Sequence, residues 1–355
     1  MKVAELHAAS WQRLQDWKSR LPHALLLSGV KGLGKLDLAL AFAASLLCED
    51  AHSDGTACGA CPACQWFLKG NHPDFRLLQP EALRREEKED GDEEEKKGRG
   101  RSADKQEEKS NRSGQEIGIE DVRALDAFLS VGTHRQKMRV ILVHPAEAMN
   151  RHAANALLKA LEEPPSDTLF LLVSNEPMRL LPTLRSRCQQ LALSTPDAAL
   201  AEKFLLEHHL SDAVTWLALA GGAPMLALRL SENAAPWRET FLKFLQQGGQ
   251  LEVLSAAVTL EKELKAVKGE NPLPQMVEWA QKWIIDLTLA AERLPIRFYL
   301  AQRAKIMNLS ENRRPLLLLR FYRELLQLRR ESAHPLNMRL FLEQFFFRYR
   351  RLFVE

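Results

Sequence analysis

Two short stretches carry residue types and spacings that could do chemistry. The first is GVKGLGKLD, Gly29 to Asp37. A phosphate-binding loop reads G-x-x-x-x-G-K-[ST]: its glycines let backbone N–H groups wrap the phosphates, and the hydroxyl after the lysine holds Mg²⁺. Gly29, Gly34 and Lys35 satisfy that pattern, and Leu36 stands where the hydroxyl is required. The second stretch supplies thiols. Four of the five cysteines lie between Cys48 and Cys64, with Cys58, Cys61 and Cys64 in CGACPAC. A closed shell of four thiolates is what a structural Zn²⁺ prefers, whereas a catalytic zinc keeps one position open. An iron–sulfur cluster is the competing reading, because C-x₂-C-x₂-C also opens a ferredoxin-type run. That run continues with x₃-C-P, and here Cys64 is followed by QWFLKG. The plain alternative is four reduced, partly buried thiols. His72, in NHPDF, is a candidate substitute ligand whose other reading is a turn residue beside proline.

The elements around these residues follow from hydrophobic pattern. HALLLSGV, from His23, is a short apolar run ending in glycine, as in a buried parallel strand. After the loop, Leu36, Leu40, Ala43, Ala44 and Leu47 recur at helical spacing, which sets Lys35 at a helix N-terminus where the dipole favours an anion. Helix follows again in IGIEDVRALDAFLSV, with Val122, Leu125 and Leu129 on one face. Val140 to Val143 is a four-residue apolar strand. In a working phosphate-loop ATPase such a strand ends in an Asp that orients Mg²⁺, and a Glu after it often activates water. His144 and Pro145 occupy those positions, and Glu147 beyond them reads as a surface carboxylate. The helix from Asn155 ends at Glu162, before Pro164, because a residue preceding proline is pushed out of the helical region. TLFLLVS is then a buried strand ending at Ser174-Asn175.

The chain has 355 residues, 46% of them hydrophobic, enough for two or three domains with real cores. A formal charge of +3 decides no function class. No apolar run reaches the roughly 18 residues that a membrane helix needs, and MKVAELHAASWQRLQDW lacks a signal peptide's apolar core. Those features, with clustered thiols suited to a reducing compartment, lead to the expectation of a cytoplasmic protein without membrane partners. Residues 81–115 mix acids and bases with almost no large apolar side chains, the composition of a disordered surface insertion.

NALLKALEEPPSDTLFLLVSNEP followed by Ser186-Arg187-Cys188 is similar to the signature of bacterial clamp-loader subunits in the AAA+ superfamily. Together with the cysteine cluster and the imperfect loop, it resembles the delta-prime subunits of DNA polymerase III clamp loaders. The resemblance runs from the first strand to NMRLFLEQFFFRYRRLF; the 81–115 insertion departs from it. It implies an α/β fold: an AAA+ phosphate-loop type domain with a parallel sheet over residues 1–193, carrying an inserted zinc module at about 48–72. A small helical lid over 194–234 and an all-helical collar over 235–355 complete it. The implied role is a subunit that hydrolyses no ATP, bound to motor and delta subunits and reaching the sliding clamp and primed DNA through the complex. Arg187 is then an arginine finger offered to a neighbour's ATP, and Asn175 stands where relatives sense the γ-phosphate. Met225, in GGAPMLALRL, replaces a second sensor arginine. Gly29, Gly34 and Lys35 are a relic of nucleotide binding, and zinc on Cys48, Cys58, Cys61 and Cys64 is structural. Two other readings stand beside this one: an active motor subunit or DNA-dependent ATPase working through Lys35, and a zinc-stabilised DNA-binding module. The run Phe345 to Phe347 among arginines reads as helix packing, with nucleic acid or membrane contact as its alternative.

Overall fold

The computed structural model describes residues 3–84, 114, 116–130, 138–232, 236–267, 271–332, 334 and 336–354. They divide into two compact units, Met1–Asp197 and Ala198–Glu355.

The first unit is built on a five-stranded sheet of order β2-β3-β4-β1-β5, with every neighbouring pair parallel. Its strands are β1 Ala24–Ser28, β2 Phe75–Leu78, β3 Arg139–Val143, β4 Thr168–Ser174 and β5 Gln189–Ala192. The three central strands β1, β3 and β4 are buried at every residue, as continuous Leu/Val/Ile runs require when helices cover both faces. Edge strands β2 and β5 are only partly buried. The helices are α1 Ala8–Trp17, α2 Lys35–Leu47, α3 Pro62–Leu68, α4 Ile119–Ser130, α5 Arg151–Glu162 and α6 Pro182–Arg187. Ser28 of β1 lies beside Ser174 of β4, and Val143 of β3 beside Leu172. The phosphate loop, His144 and Asn175 therefore emerge together at the carboxyl edge of the sheet, where open α/β sheets bind ligands.

Several local expectations shift. Helix α2 does not turn Leu36, Leu40 and Ala44 fully inward; these are half-buried, and Leu38, Ala39, Phe42, Ala43 and Leu47 form the core face. The helix is apolar almost all round, so periodicity could not select the face. Helix α5 starts at Arg151, four residues earlier than expected, because the Asn150 side chain caps it by accepting the Ala153 N–H at 2.9 Å. Most of the expected 81–115 insertion lies outside the described residues. Its first four are ordered as a helical turn in which Arg84 donates to Asp121 at 2.9 Å.

The second unit is helical: α7 Ala198–Glu207, α8 Ala213–Leu219, α9 Pro224–Glu232, α10 Trp237–Leu245, α11 Val253–Lys265, α12 Leu273–Ala291, α13 Arg303–Ser310, α14 Pro315–Glu331 and α15 Met338–Val354. Trp279, Trp283, Ile284 and Leu287 of α12 are all buried, as their spacing predicts. Three of the buried rings have partners for their polar atoms. Trp283 Nε1 donates to Tyr349 Oη at 2.9 Å, Tyr349 Oη donates to the Leu245 carbonyl at 2.5 Å, and Tyr299 Oη donates to the Trp279 carbonyl at 2.8 Å. The Asp286 carboxylate, fully buried, accepts the backbone N–H groups of Arg297, Phe298 and Tyr299. None of the described helices is by itself long and apolar enough to cross a membrane.

Candidate functional site

The cysteine module forms where α2 ends and α3 begins. Cys48 follows the last turn of α2, and Cys61 caps α3 by accepting the Cys64 N–H on its sulfur. The four ligand sulfurs lie within 4.8 Å of one another, with Cys48–Cys61 and Cys58–Cys64 each at 3.9 Å. A tetrahedral site with Zn–S near 2.3 Å separates its sulfurs by about 3.8 Å, so the four thiols fit a zinc ion with little movement. Backbone N–H groups already point at the sulfurs: Cys58 N–H to Cys48, Cys61 N–H to Cys58 and Cys64 N–H to Cys61, at 3.3–3.4 Å. The N–H groups of Cys61 and Ala60 lower the pKa of the Cys58 thiol, which favours the thiolate a metal requires. His72 stands apart from this cluster. It is buried, and its Nδ1 accepts the Asp74 N–H at 3.1 Å, the turn role rather than the ligand role. Helix α1 and the turn after it brace the module, with Trp11 Nε1 donating to the Asp54 carbonyl and Lys18 Nζ to that of Gly55.

The phosphate loop joins β1 to α2 with the backbone its glycines allow. Gly29 has φ +152°, and a Cβ there would sit 2.7 Å from the Leu193 carbonyl oxygen. Gly34 caps α2 at φ +84°. Lys35 is buried, and its ammonium turns back to donate to the Val30 carbonyl at 2.6 Å. Burial pushes its pKa down to about 8, partly offset by the negative charge of Glu147. His7 reaches the same loop from the N-terminal segment, Nε2 donating to the Leu33 carbonyl at 2.6 Å, and burial lowers its pKa too.

Glu147 corrects the expectation of a surface carboxylate. It is half-buried, and its Oε1 accepts the Asn175 backbone N–H at 2.9 Å. Its Oε2 and the Ser174 hydroxyl are buried without a protein partner among the described residues. Lys35, Glu147, Ser174 and Asn175 thus converge at one edge of the sheet although they come from three distant segments. The helical spacing of Glu147 held no signal for this, because the residue sits in a 3₁₀ turn after the cis His144–Pro145 peptide.

Arg187 is elsewhere, at the last turn of α6. It donates to the Thr183 carbonyl at 3.1 Å and pairs with Glu162 at the end of α5. The LEEPP and Ser-Arg-Cys motifs are therefore joined by an ion pair. Arg187 and Glu162 both remain part-exposed, while Cys188 beside them is buried and its thiol is pushed up to about 11 by that burial. Met225 occupies the first turn of α9, with Arg229 exposed one turn later.

Residues 7–197 match the model of a family described as DNA polymerase III, delta subunit. The chain is 36% identical over 288 residues to the DNA polymerase III subunit delta' of Pseudomonas aeruginosa, which covers 79% of this chain and 75% of the relative. Against the delta' subunit of Yersinia pestis it is 34% identical over 221 residues, 62% of this chain and 55% of the relative. The DNA polymerase III subunit tau of Escherichia coli is 30% identical over 223 residues, 61% of this chain and 29% of the relative. A family match over more than half the chain, a delta' relative aligned along most of both lengths, and a parallel sheet carrying the phosphate loop and the four-cysteine module lead to one assignment: the chain belongs to the delta-prime family of DNA polymerase III subunits.

Proposed function

We propose that the chain is a clamp-loader subunit that hydrolyses no ATP itself and supplies Arg187 to the ATP bound by a neighbouring motor subunit. The observation that carries this reading is the chemistry of the sheet's carboxyl edge. Leu36 offers no hydroxyl to Mg²⁺, β3 leads into His144 and Pro145 instead of carboxylates, and Lys35 donates to its own loop at Val30. Phosphoryl transfer needs each of those parts positioned on the nucleotide. Glu147 is engaged with the Asn175 N–H.

The remaining residues have roles that do not require hydrolysis. Zinc, bound by Cys48, Cys58, Cys61 and Cys64, ties the loop after α2 into a fixed module, and its binding energy is folding energy. Arg187, on a short helix and held by Glu162 and Thr183, presents a planar fork of donors without needing a nucleotide of its own. Residues 194–234 act as a lid and residues 235–355 as a collar that joins the motor and delta subunits. The complex reaches the sliding clamp and primed DNA in the cytoplasm.

Purified chain mixed with tau/gamma-type and delta-type subunits is expected to elute as one large complex, and the chain alone to hydrolyse no ATP above background. Steady turnover by the lone chain that Lys35→Ala abolishes would replace this reading with an active ATPase. Failure to join the complex, with tight DNA binding by the chain alone, would replace it with a zinc-stabilised DNA-binding module.

A further inference from the structure

Three of the chain's seven tryptophans gather near one arginine of the second unit. Arg238 stands in the first turn of α10, and its guanidinium carbon lies 4.6 Å from the ring centre of Trp216 on α8 and 5.4 Å from that of Trp279 on α12. Both distances are within the range at which a cation is drawn to an indole face. Trp237 backs the stack, its ring 4.8 Å from that of Trp279 with 26° between the planes. Trp237 and Trp279 are buried, and Trp216 and Arg238 are half-buried. One side chain thus meets rings from two other helices, and the whole of α9 separates α8 from α10 in sequence.

The polar edge of Arg238 is unanswered. Its Nε is buried with no hydrogen-bond partner, and the guanidinium makes no ion pair or hydrogen bond to any of the described residues. Burial pushes its pKa below the usual arginine value. An apolar side chain would fill this place with no charge to desolvate, so filling space does not account for an arginine here. The ring faces do. A guanidinium is weakly hydrated and stacks on aromatic faces, and such a contact shifts an opening equilibrium by about 2- to 30-fold.

We infer that Arg238 is a stacking pin that holds the lid, residues 194–234, and the collar, residues 235–355, as one body by tying α8 to α12. The inference rests on the lid-and-collar reading above and names the residue that couples the two. The covalent link between these segments leaves α9 and enters α10, so it does not itself fix α8. The pin does so through ring faces instead of directed hydrogen bonds. In sequence the lid lies between the unit that carries Arg187 and the collar, so slack at the pin is slack between Arg187 and the assembled subunits. Arg238 is then a positioning residue for turnover in the neighbouring motor subunit and touches no nucleotide.

Hydrogen exchange of the full chain reads the pin directly. Arg238→Leu is expected to speed exchange of the α8 amides about 2- to 30-fold, and Trp216→Leu to do the same. The double variant should add little to either, because each substitution removes the same contact. Trp216→Phe keeps an aromatic face and Arg238→Lys keeps a cation, so each should restore most of the protection. In complexes with tau/gamma-type and delta-type subunits, Arg238→Leu should assemble as wild type by size-exclusion chromatography. Its clamp- and DNA-stimulated ATP turnover should fall about 2- to 30-fold, with partial recovery in Arg238→Lys. If Arg238→Leu does not fold, Trp216→Leu carries both measurements with the same expectations. Wild-type exchange at α8 in the variants overturns the inference. So do losses that simply add in the double variant, and so does a loosened α8 with unchanged turnover, which is what a merely structural arginine would give. A wild-type chain that joins no complex, or normal turnover with Arg187→Ala, overturns the proposed function instead, and exchange of the lone chain still decides the pin.

Discussion

Replacing Arg187 by alanine separates a residue that acts on a neighbour from one that only holds two helices together. Its bonds within the chain are the Glu162 ion pair and one hydrogen bond to the Thr183 carbonyl, and about a third of the side chain is exposed. Pairs of this kind contribute roughly 0–1 kcal/mol, so Arg187→Ala should lower the thermal midpoint of the chain by no more than a few degrees. A guanidinium donated to a transferring phosphoryl group contributes about 10³–10⁵ in rate, equivalent to about 4–7 kcal/mol of barrier. The two roles thus differ by several kcal/mol in opposite assays. In complexes rebuilt with the variant, ATP turnover at the motor site facing this chain should nearly vanish. Total turnover should fall only in part, because the other sites use their own neighbours, and clamp loading should fall further. Arg187→Lys should restore stability better than turnover, since a point charge lacks the fork. Glu162→Ala tests the same logic from the other side: it frees Arg187 and should leave turnover within a few-fold of wild type. Equal assembly is checked by size-exclusion chromatography before clamp- and DNA-stimulated ATPase is measured. Normal turnover and loading with a fully assembled Arg187→Ala complex would refute the finger and leave the Glu162 pair as the residue's whole role.

Cys58→Ser should release one equivalent of zinc and expose the module to limited proteolysis, checked by elemental analysis; iron in the wild-type protein would overturn the assignment. Lys35 has a folded pKa lowered from 10.5 to about 8. Between those values the unfolded chain holds the proton and the folded chain does not, so stability from this group rises with pH across that window and its cost is full below about pH 8. Wild type should therefore gain on Lys35→Met between pH 7 and pH 10 in denaturant titrations, by at most ~3 kcal/mol; a flat difference would mean Lys35 is not buried as a cation. Asp286→Ala strips the acceptor from three N–H groups in the second unit and should cost about 3–5 kcal/mol, read as a lower denaturation midpoint with the zinc content unchanged.

What could be read from the chain alone is local. The phosphate loop, the four cysteines, β1, β3 and β4, and the buried face of α12 each declare themselves within a window of about twenty residues, because strand burial, helical period and ligand spacing are short-range properties. The missing hydroxyl at Leu36 and the missing carboxylates at His144 and Pro145 are legible for the same reason. The tertiary structure decided what depends on residues far apart in sequence. Glu147 reads as a surface acid until the parallel register sets β3 beside β4 and delivers its carboxylate to the Asn175 N–H. Helix α2 has apolar residues all round, so only the sheet beneath it selects Leu38 and Phe42 over Leu36 and Leu40. Three consecutive phenylalanines are identical as sequence. The 100° step between helical neighbours buries Phe345 and Phe346 and turns Phe347 outward, and which side is outward was settled by the helices packed behind it.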